Sequence, residues 1–170
     1  KLAVYEPPFV VSEGDPRPPP DLAGHVTGLI AADRRGDAVV YFMSKAIGMP
    51  AVFAHLMRLM PRTWSSLKAM AHTITYDVAV MGDTQLGRPL QPAQWASVKA
   101  PTLVLNGSKS PAFLRRAATE LADVLPDSQH RTIDGVSHSA VVMKPKALAP
   151  VLIEFLAASD NPQEGHPHVQ

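Results

Sequence analysis

The sequence predicts an α/β protein built on a short parallel sheet with flanking helices. Three observations carry that reading. Residues 101–106, Pro-Thr-Leu-Val-Leu-Asn, form an apolar run closed by Gly107, the pattern of a strand covered on both faces. A helical stripe follows, with Phe113, Leu114, Ala117, Ala118, Leu121, Ala122 and Leu125 at three- and four-residue spacing. Residues 129–134 then read as a second strand and 135–139 as the loop at its carboxyl end. Such a strand-helix-strand unit delivers His138 to the sheet edge where sites are usually built.

From the start of the chain, Leu2, Val4 and Tyr5 predict a short strand within residues 1–11. Glu6-Pro7-Pro8 stops it, because proline has no N–H for a ladder and restrains the residue before it. Residues 12–20, Ser-Glu-Gly-Asp-Pro-Arg-Pro-Pro-Pro, form a stiff polar linker, read as a surface crossover ahead of a proline-rich ligand for a partner domain. Asp21 is a good helix cap, and Leu22, His25, Val26, Leu29 and Ile30 share a face after it. Arg34-Arg35-Gly36-Asp37 is expected to break that helix. Three helical pieces follow at 38–47, 51–59 and 62–80, punctuated by Gly48-Met49-Pro50 and Met60-Pro61.

Residues 82–92 read as a loop, which closes a helical region spanning 21–92. Met43, Met49, Met57, Met60, Met70 and Met81 make it methionine-rich. The adaptable thioether suits either a plain core or a flexible lid over an apolar ligand. In the following 93–158 region, Ser110 is expected to cap the helix and Pro111 to occupy its first position. Pro126 ends that helix. A closing helix at about 147–158 carries Leu148, Val151, Leu152, Phe155 and Leu156 on a stripe that would dock on the sheet. The tail 159–170 is polar, contains Pro162, Gly165 and Pro167, and is expected to be disordered. His166 and His168 in it lack the rigid frame that a metal site needs.

Composition narrows the function classes. The 170 residues are 46% hydrophobic and 18% charged, a soluble globular balance. Sixteen basic and 15 acidic residues are interspersed with a net charge of +1, so neither nucleic acid nor a membrane surface is an expected partner. No apolar stretch approaches the ~18 residues that span a bilayer. The absence of cysteine excludes disulfides and thiolate ligands without assigning a compartment. No signal peptide is visible, the first residue is Lys1 rather than methionine, and a cytoplasmic location is the working expectation. No Gly-rich phosphate loop and no H-E-x-x-H pattern occurs, so no cofactor or metal is expected.

The order of the pieces resembles the C-terminal half of a bacterial α/β hydrolase. P-T-L-V-L-x-G, helix, strand and G-x-x-H are similar to the last strands of that fold, and Lys1-Leu-Ala-Val-Tyr-Glu-Pro-Pro-Phe resembles the strand after its nucleophile-bearing helix. The helical 21–92 region resembles the inserted cap. The resemblance covers residues 1–157 and implies a partial α/β-hydrolase fold with a general-base histidine at His138. The family's G-x-S-x-G elbow occurs nowhere in the sequence. The resemblance therefore implies a fragment that begins just after the nucleophile.

The acid is harder to place. In most relatives it sits three residues after the strand-ending glycine, where this sequence has Ser110, which cannot hold an imidazolium by charge. Haloalkane dehalogenase-like relatives place it directly after the strand that follows the nucleophile helix, where Glu6 stands. Two readings of Glu6 remain open: the partner of His138, or a structural carboxylate at the double-proline turn. Phe9, His72 and Tyr76 are candidate substrate-lining residues, His72 as a donor to a carbonyl. The bland reading of His72, Tyr76, Asp77 and Asp83 is a helix with polar groups near its end.

Two functions follow. In the first, the chain is part of an esterase-like acyl hydrolase for a small apolar ester, with His138 and Glu6 present, the nucleophile absent, and little activity alone. Its uncovered strand edge would then pair with the missing N-terminal half or with itself. In the second, it is a non-catalytic binding or pairing module with an apolar pocket under the methionine-rich layer.

Overall fold

The computed structural model describes residues 1–158, so the 159–170 tail with His166 and His168 lies outside the described residues. In chain order the elements are β1 (Leu2–Tyr5), α1 (Leu22–Ala31), α2 (Arg35–Lys45), α3 (Ala51–Leu56), α4 (Pro61–Met70), α5 (Ile74–Met81), α6 (Pro92–Trp95), β2 (Thr102–Gly107), α7 (Ala112–Val124), β3 (Ser128–Ile133), α8 (Ala140–Met143) and α9 (Pro145–Ala157). They form two compact units. One holds Lys1–Glu6 and the described residues from Pro92 onward; the other is Pro7–Gln91.

The first unit is organised on β2. The strand order is β1-β2-β3, all parallel, with Tyr5 opposite Leu105 and Gly107 opposite Ile133. Every residue of β2 is buried, as its unbroken apolar run requires of a central strand. Leu103 and Leu105 pack on Phe155 of α9, joined by Tyr5, Ile133, Val151 and Leu152. Helix α7 packs on β2 and β3 and buries Leu114, Ala117, Ala118, Leu121 and Ala122, the stripe read from the sequence. It ends at Leu125, whose backbone is extended (ψ 136°) because the ring of Pro126 disfavours a helical neighbour.

Three expectations for this unit are corrected. Ser110 does not cap α7 and Pro111 is not its first residue: Pro111 is extended (φ −51°, ψ 143°) and itself precedes the helix. The cause is a turn at the end of β2, where the Ser110 N–H donates to the Gly107 carbonyl at 3.1 Å and delays the helix. Leu156 is 54% exposed and lies off the docking stripe of α9. Residues 140–143, which carry no periodic signal of their own, form the single turn α8, and Val141, Val142 and Met143 on it are exposed.

The second unit is helical. Leu22 and Val26 of α1, Val39 of α2, and Ala71 and Ile74 form its core, with Tyr41, Phe42, Met43, Trp64 and Leu67 packed around them. The expected break at 34–37 lies earlier. Asp33 adopts a left-handed conformation (φ 54°), and the N–H groups of Asp33 and Arg34 close the end of α1 on the carbonyls of Ile30 and Leu29 at 3.0 and 2.8 Å. Arg35-Gly36-Asp37 thus opens α2 instead of interrupting a helix.

The expected single helix over 62–80 is two, α4 and α5, joined by a 3₁₀ turn at Ala71–Thr73. Thr73 and Thr75 donate their hydroxyls to the Met70 and His72 carbonyls there, the competition that makes threonine unfavourable inside helices. His25, placed by periodicity on the apolar face of α1, is exposed and stacks on Tyr41 with ring centroids 4.0 Å apart. The methionines divide: Met81 is buried, Met43 packs on the core, and Met60 and Met70 are exposed.

Candidate active site

At the carboxyl end of the sheet, Glu6 and His138 meet. Glu6 directly follows β1, and its N–H continues the ladder to the Leu105 carbonyl at 2.9 Å. Its backbone is left-handed (φ 48°), a conformation that costs a non-glycine residue ~1–3 kcal/mol and persists only where surroundings enforce it. The side chain is fully buried, with each carboxylate oxygen occupied. Oε1 accepts the Gly107 N–H at 2.7 Å, and Oε2 accepts His138 Nδ1–H at 2.7 Å. A carboxylate can only accept, so the Nδ1 proton is fixed, and in the neutral ring Nε2 is the nitrogen that keeps its lone pair. The imidazole side chain is 59% exposed against 0% for Glu6. A buried anion thus orients a ring whose other nitrogen is open.

The loop carrying His138 is tied to the end of β2. The N–H groups of Ser108 and Lys109 donate to the Ile133 and Val136 carbonyls, each at 2.9 Å. The Ser108 hydroxyl donates to Asp134 Oδ1 and accepts the Gly135 N–H, both at 2.9 Å. Gly135 has φ 70°, which a glycine adopts without strain. At Gly107 the requirement is space: a Cβ there would stand 2.4 Å from the Val136 carbonyl oxygen. The Tyr5 hydroxyl reaches the Ser137 carbonyl at 2.8 Å. Burial, and then the neighbouring Glu6 carboxylate, hold the Tyr5 phenol above its ordinary range, so it remains a donor.

No protein-family model and no curated protein matches this chain. Solved structures do. An α/β hydrolase from Sphaerobacter thermophilus is 42% identical, with a TM-score of 0.74 over 91% of this chain and 57% of its own. This chain is an α/β-hydrolase-fold protein. Two more distant structures share the fold at a lower level. The α/β hydrolase MGS-M2 from a Medee basin deep-sea metagenome library is 13% identical, with a TM-score of 0.52 over 96% of this chain and 58% of its own. The 2-hydroxy-6-oxo-6-phenylhexa-2,4-dienoate hydrolase from Rhodococcus sp. strain RHA1 is 17% identical, with a TM-score of 0.50 over 93% and 55%. The chain spans little more than half the length of these relatives, which fits the C-terminal part of the α/β-hydrolase fold.

The remaining candidates, Phe9, His72 and Tyr76, lie in the helical unit. His72 is exposed in the 3₁₀ turn, and its Nδ1–H donates to the Ala69 carbonyl at 3.0 Å. In the neutral ring this bond leaves Nε2 as an acceptor. Tyr76 is 65% exposed on α5, and Phe9 is half-buried. The same unit contains an apolar cavity of about 180 Å³ lined by Val39, Phe42, Met43, Leu67, Met70 and Ile74; none of Phe9, His72 and Tyr76 borders it. Ser110 is buried.

Two features of the site have weak sequence signals. The Gly107 amide is a backbone donor, and donors of that kind leave no mark on residue type. The Ser108 clamp on Asp134 and Gly135 spans distant positions that only strand pairing makes neighbours. Among the described residues no trio of His, Asp or Glu has metal-holding geometry, and no helix is long and apolar enough to cross a membrane.

Proposed function

We propose that the complete protein is an acyl hydrolase of the nucleophile-histidine-acid type acting on a small apolar ester, with His138 as general base and Glu6 as its acid partner. The observation that carries this reading is the Glu6–His138 hydrogen bond of 2.7 Å between a buried carboxylate and an exposed ring. In the proposed reaction Nε2 of His138 takes the proton of a serine on polypeptide outside this chain as that serine attacks the carbonyl. It then returns the proton to the leaving alcohol. Glu6 stabilises the imidazolium formed between those steps. The backbone donors for the oxyanion also belong to polypeptide outside these 170 residues. The isolated chain is accordingly proposed to turn over little.

The helical unit is proposed as the cap, with Phe9, His72 and Tyr76 toward the substrate. The test uses the full-length protein: a serine-reactive probe labels it, and His138→Ala lowers turnover by about 10²–10⁴-fold with folding intact. Glu6→Gln lowers it by a comparable factor through loss of ring orientation. Unchanged turnover in His138→Ala removes His138 from the mechanism.

The second reading, a non-catalytic binding module, is favoured by the apolar cavity of about 180 Å³ in the helical unit. That volume lies below the ~300 Å³ at which small-molecule sites usually begin, which weighs for the hydrolase. Labelling of the full-length protein by the serine probe separates the two.

A further inference from the structure

Glu6 and the residue before it hold His138 from two sides. The Ser137 carbonyl belongs to the peptide whose nitrogen is that of His138, so fixing its plane fixes the backbone from which the imidazole projects. That oxygen accepts two hydrogen bonds, from the Ala140 N–H at 2.8 Å and from the Tyr5 hydroxyl at 2.8 Å. The Ser108 and Lys109 contacts reach the loop at Ile133, Asp134, Gly135 and Val136, and stop short of Ser137. The last tie from the sheet before His138 is therefore the Tyr5 hydroxyl. The Tyr5 ring has no freedom to follow the loop, since it packs among Ile133 and Leu152 in the two apolar clusters beneath the site.

We propose that Tyr5 is a positioning residue for His138: its hydroxyl locks the Ser137 peptide plane while Glu6 locks the ring, so that Nδ1 meets Oε2 in one orientation. Position and side chain agree with this division. Tyr5 closes the β1 ladder opposite Leu105, and the left-handed turn at Glu6 lets two consecutive residues act on the same loop. Only the catalytic consequence rests on the acyl-hydrolase reading; the geometric claim does not.

The experiment uses the full-length protein labelled with ¹⁵N at histidine, with Tyr5→Phe as the variant. Phenylalanine keeps the ring packing and removes only the hydroxyl. The readouts are the tautomer signature of His138 and the solvent exchange rate of its Nδ1 proton, with core amide exchange measured alongside. In the wild-type chain His138 gives a single Nδ1–H tautomer. In Tyr5→Phe the Nδ1 proton exchanges faster by about tenfold, the scale of one lost hydrogen bond, while core amides keep their rates. 4-Aminophenylalanine at position 5, whose amine donates in place of the hydroxyl, restores the slow rate.

An unchanged Nδ1–H rate in Tyr5→Phe overturns the proposal. So does an acceleration shared equally by the core amides, which reports a packing role alone. Neither readout requires turnover, so failure of the hydrolase reading and failure of this inference are separate results.

Discussion

Glu6 concentrates the cost and the use of this site in one residue. Its left-handed backbone stands immediately before Pro7, yet both carboxylate oxygens are occupied and the side chain is buried. Gly107 matters as much, because it donates to Oε1 and leaves no room for a side chain beside Val136. Gly107→Ala is expected to destabilise the chain by about 1–3 kcal/mol, the usual cost of overpacking, read from the denaturation midpoint at constant slope. A midpoint equal to wild type would mean that the Val136 loop yields freely. Asp33 is the opposite case. It ends α1 in a left-handed conformation at an exposed position, so Asp33→Gly is expected to stabilise by about 0.5–1 kcal/mol. Its surface ion pair with Arg35 offsets little of that gain.

At the scale of elements, β3 holds a pH response apart from the candidate site. His130 Nε2 donates to Asn106 Oδ1 at 2.7 Å across the β2–β3 pair, and Thr132 donates to the same oxygen at 3.2 Å. Burial pushes the His130 imidazole below its ordinary value of 6.5, against the pull of Asp123. The unfolded chain then binds the proton first. The contribution is intact above 6.5 and is lost as pH falls from there through the folded value. Thermal midpoints recorded between pH 8 and 5 are expected to decline over that window, and His130→Gln is expected to flatten the decline. An unaltered decline in that variant would assign it to other groups. The central strand β2 was legible in the sequence as an unbroken apolar run, and α7 as a stripe, because burial on a fixed helix face repeats in the residue pattern. The left-handed turn at Asp33 and the 3₁₀ turn at Ala71–Thr73 were not, because each depends on one or two residues that local propensity does not single out.

The whole molecule consists of two units, each with its own apolar cluster. Among the described residues β1 pairs on one side only, with β2, and Leu2 on it is 44% exposed. Val141, Val142 and Met143 are 56%, 81% and 73% exposed in a chain that spans 57% of its 42%-identical relative. Edges and patches of this kind are usually covered or paired. The 170-residue chain is expected to self-associate in sedimentation velocity as concentration rises, and Val142→Lys to shift it toward monomer. A chain that stays monomeric throughout would show that this surface tolerates water as it is.

Residue types alone determined the parallel α/β class, the buried central strand, the stripes of α7 and most of α9, and the loop position of His138, whereas the candidacy of Glu6 as its partner came from the family resemblance. Those features depend on apolar periodicity, proline and a short ordered set of motifs, all of which are local. Tertiary structure decided that a carboxylate after β1 reaches an imidazole 132 residues later, because parallel pairing sets the ends of β1, β2 and β3 side by side. It also decided the supporting contacts, the Gly107 amide, the Ser108 clamp and the Tyr5 hydroxyl. Hydrogen-bond partners are selected by distance in space, and spacing along the chain does not encode that distance.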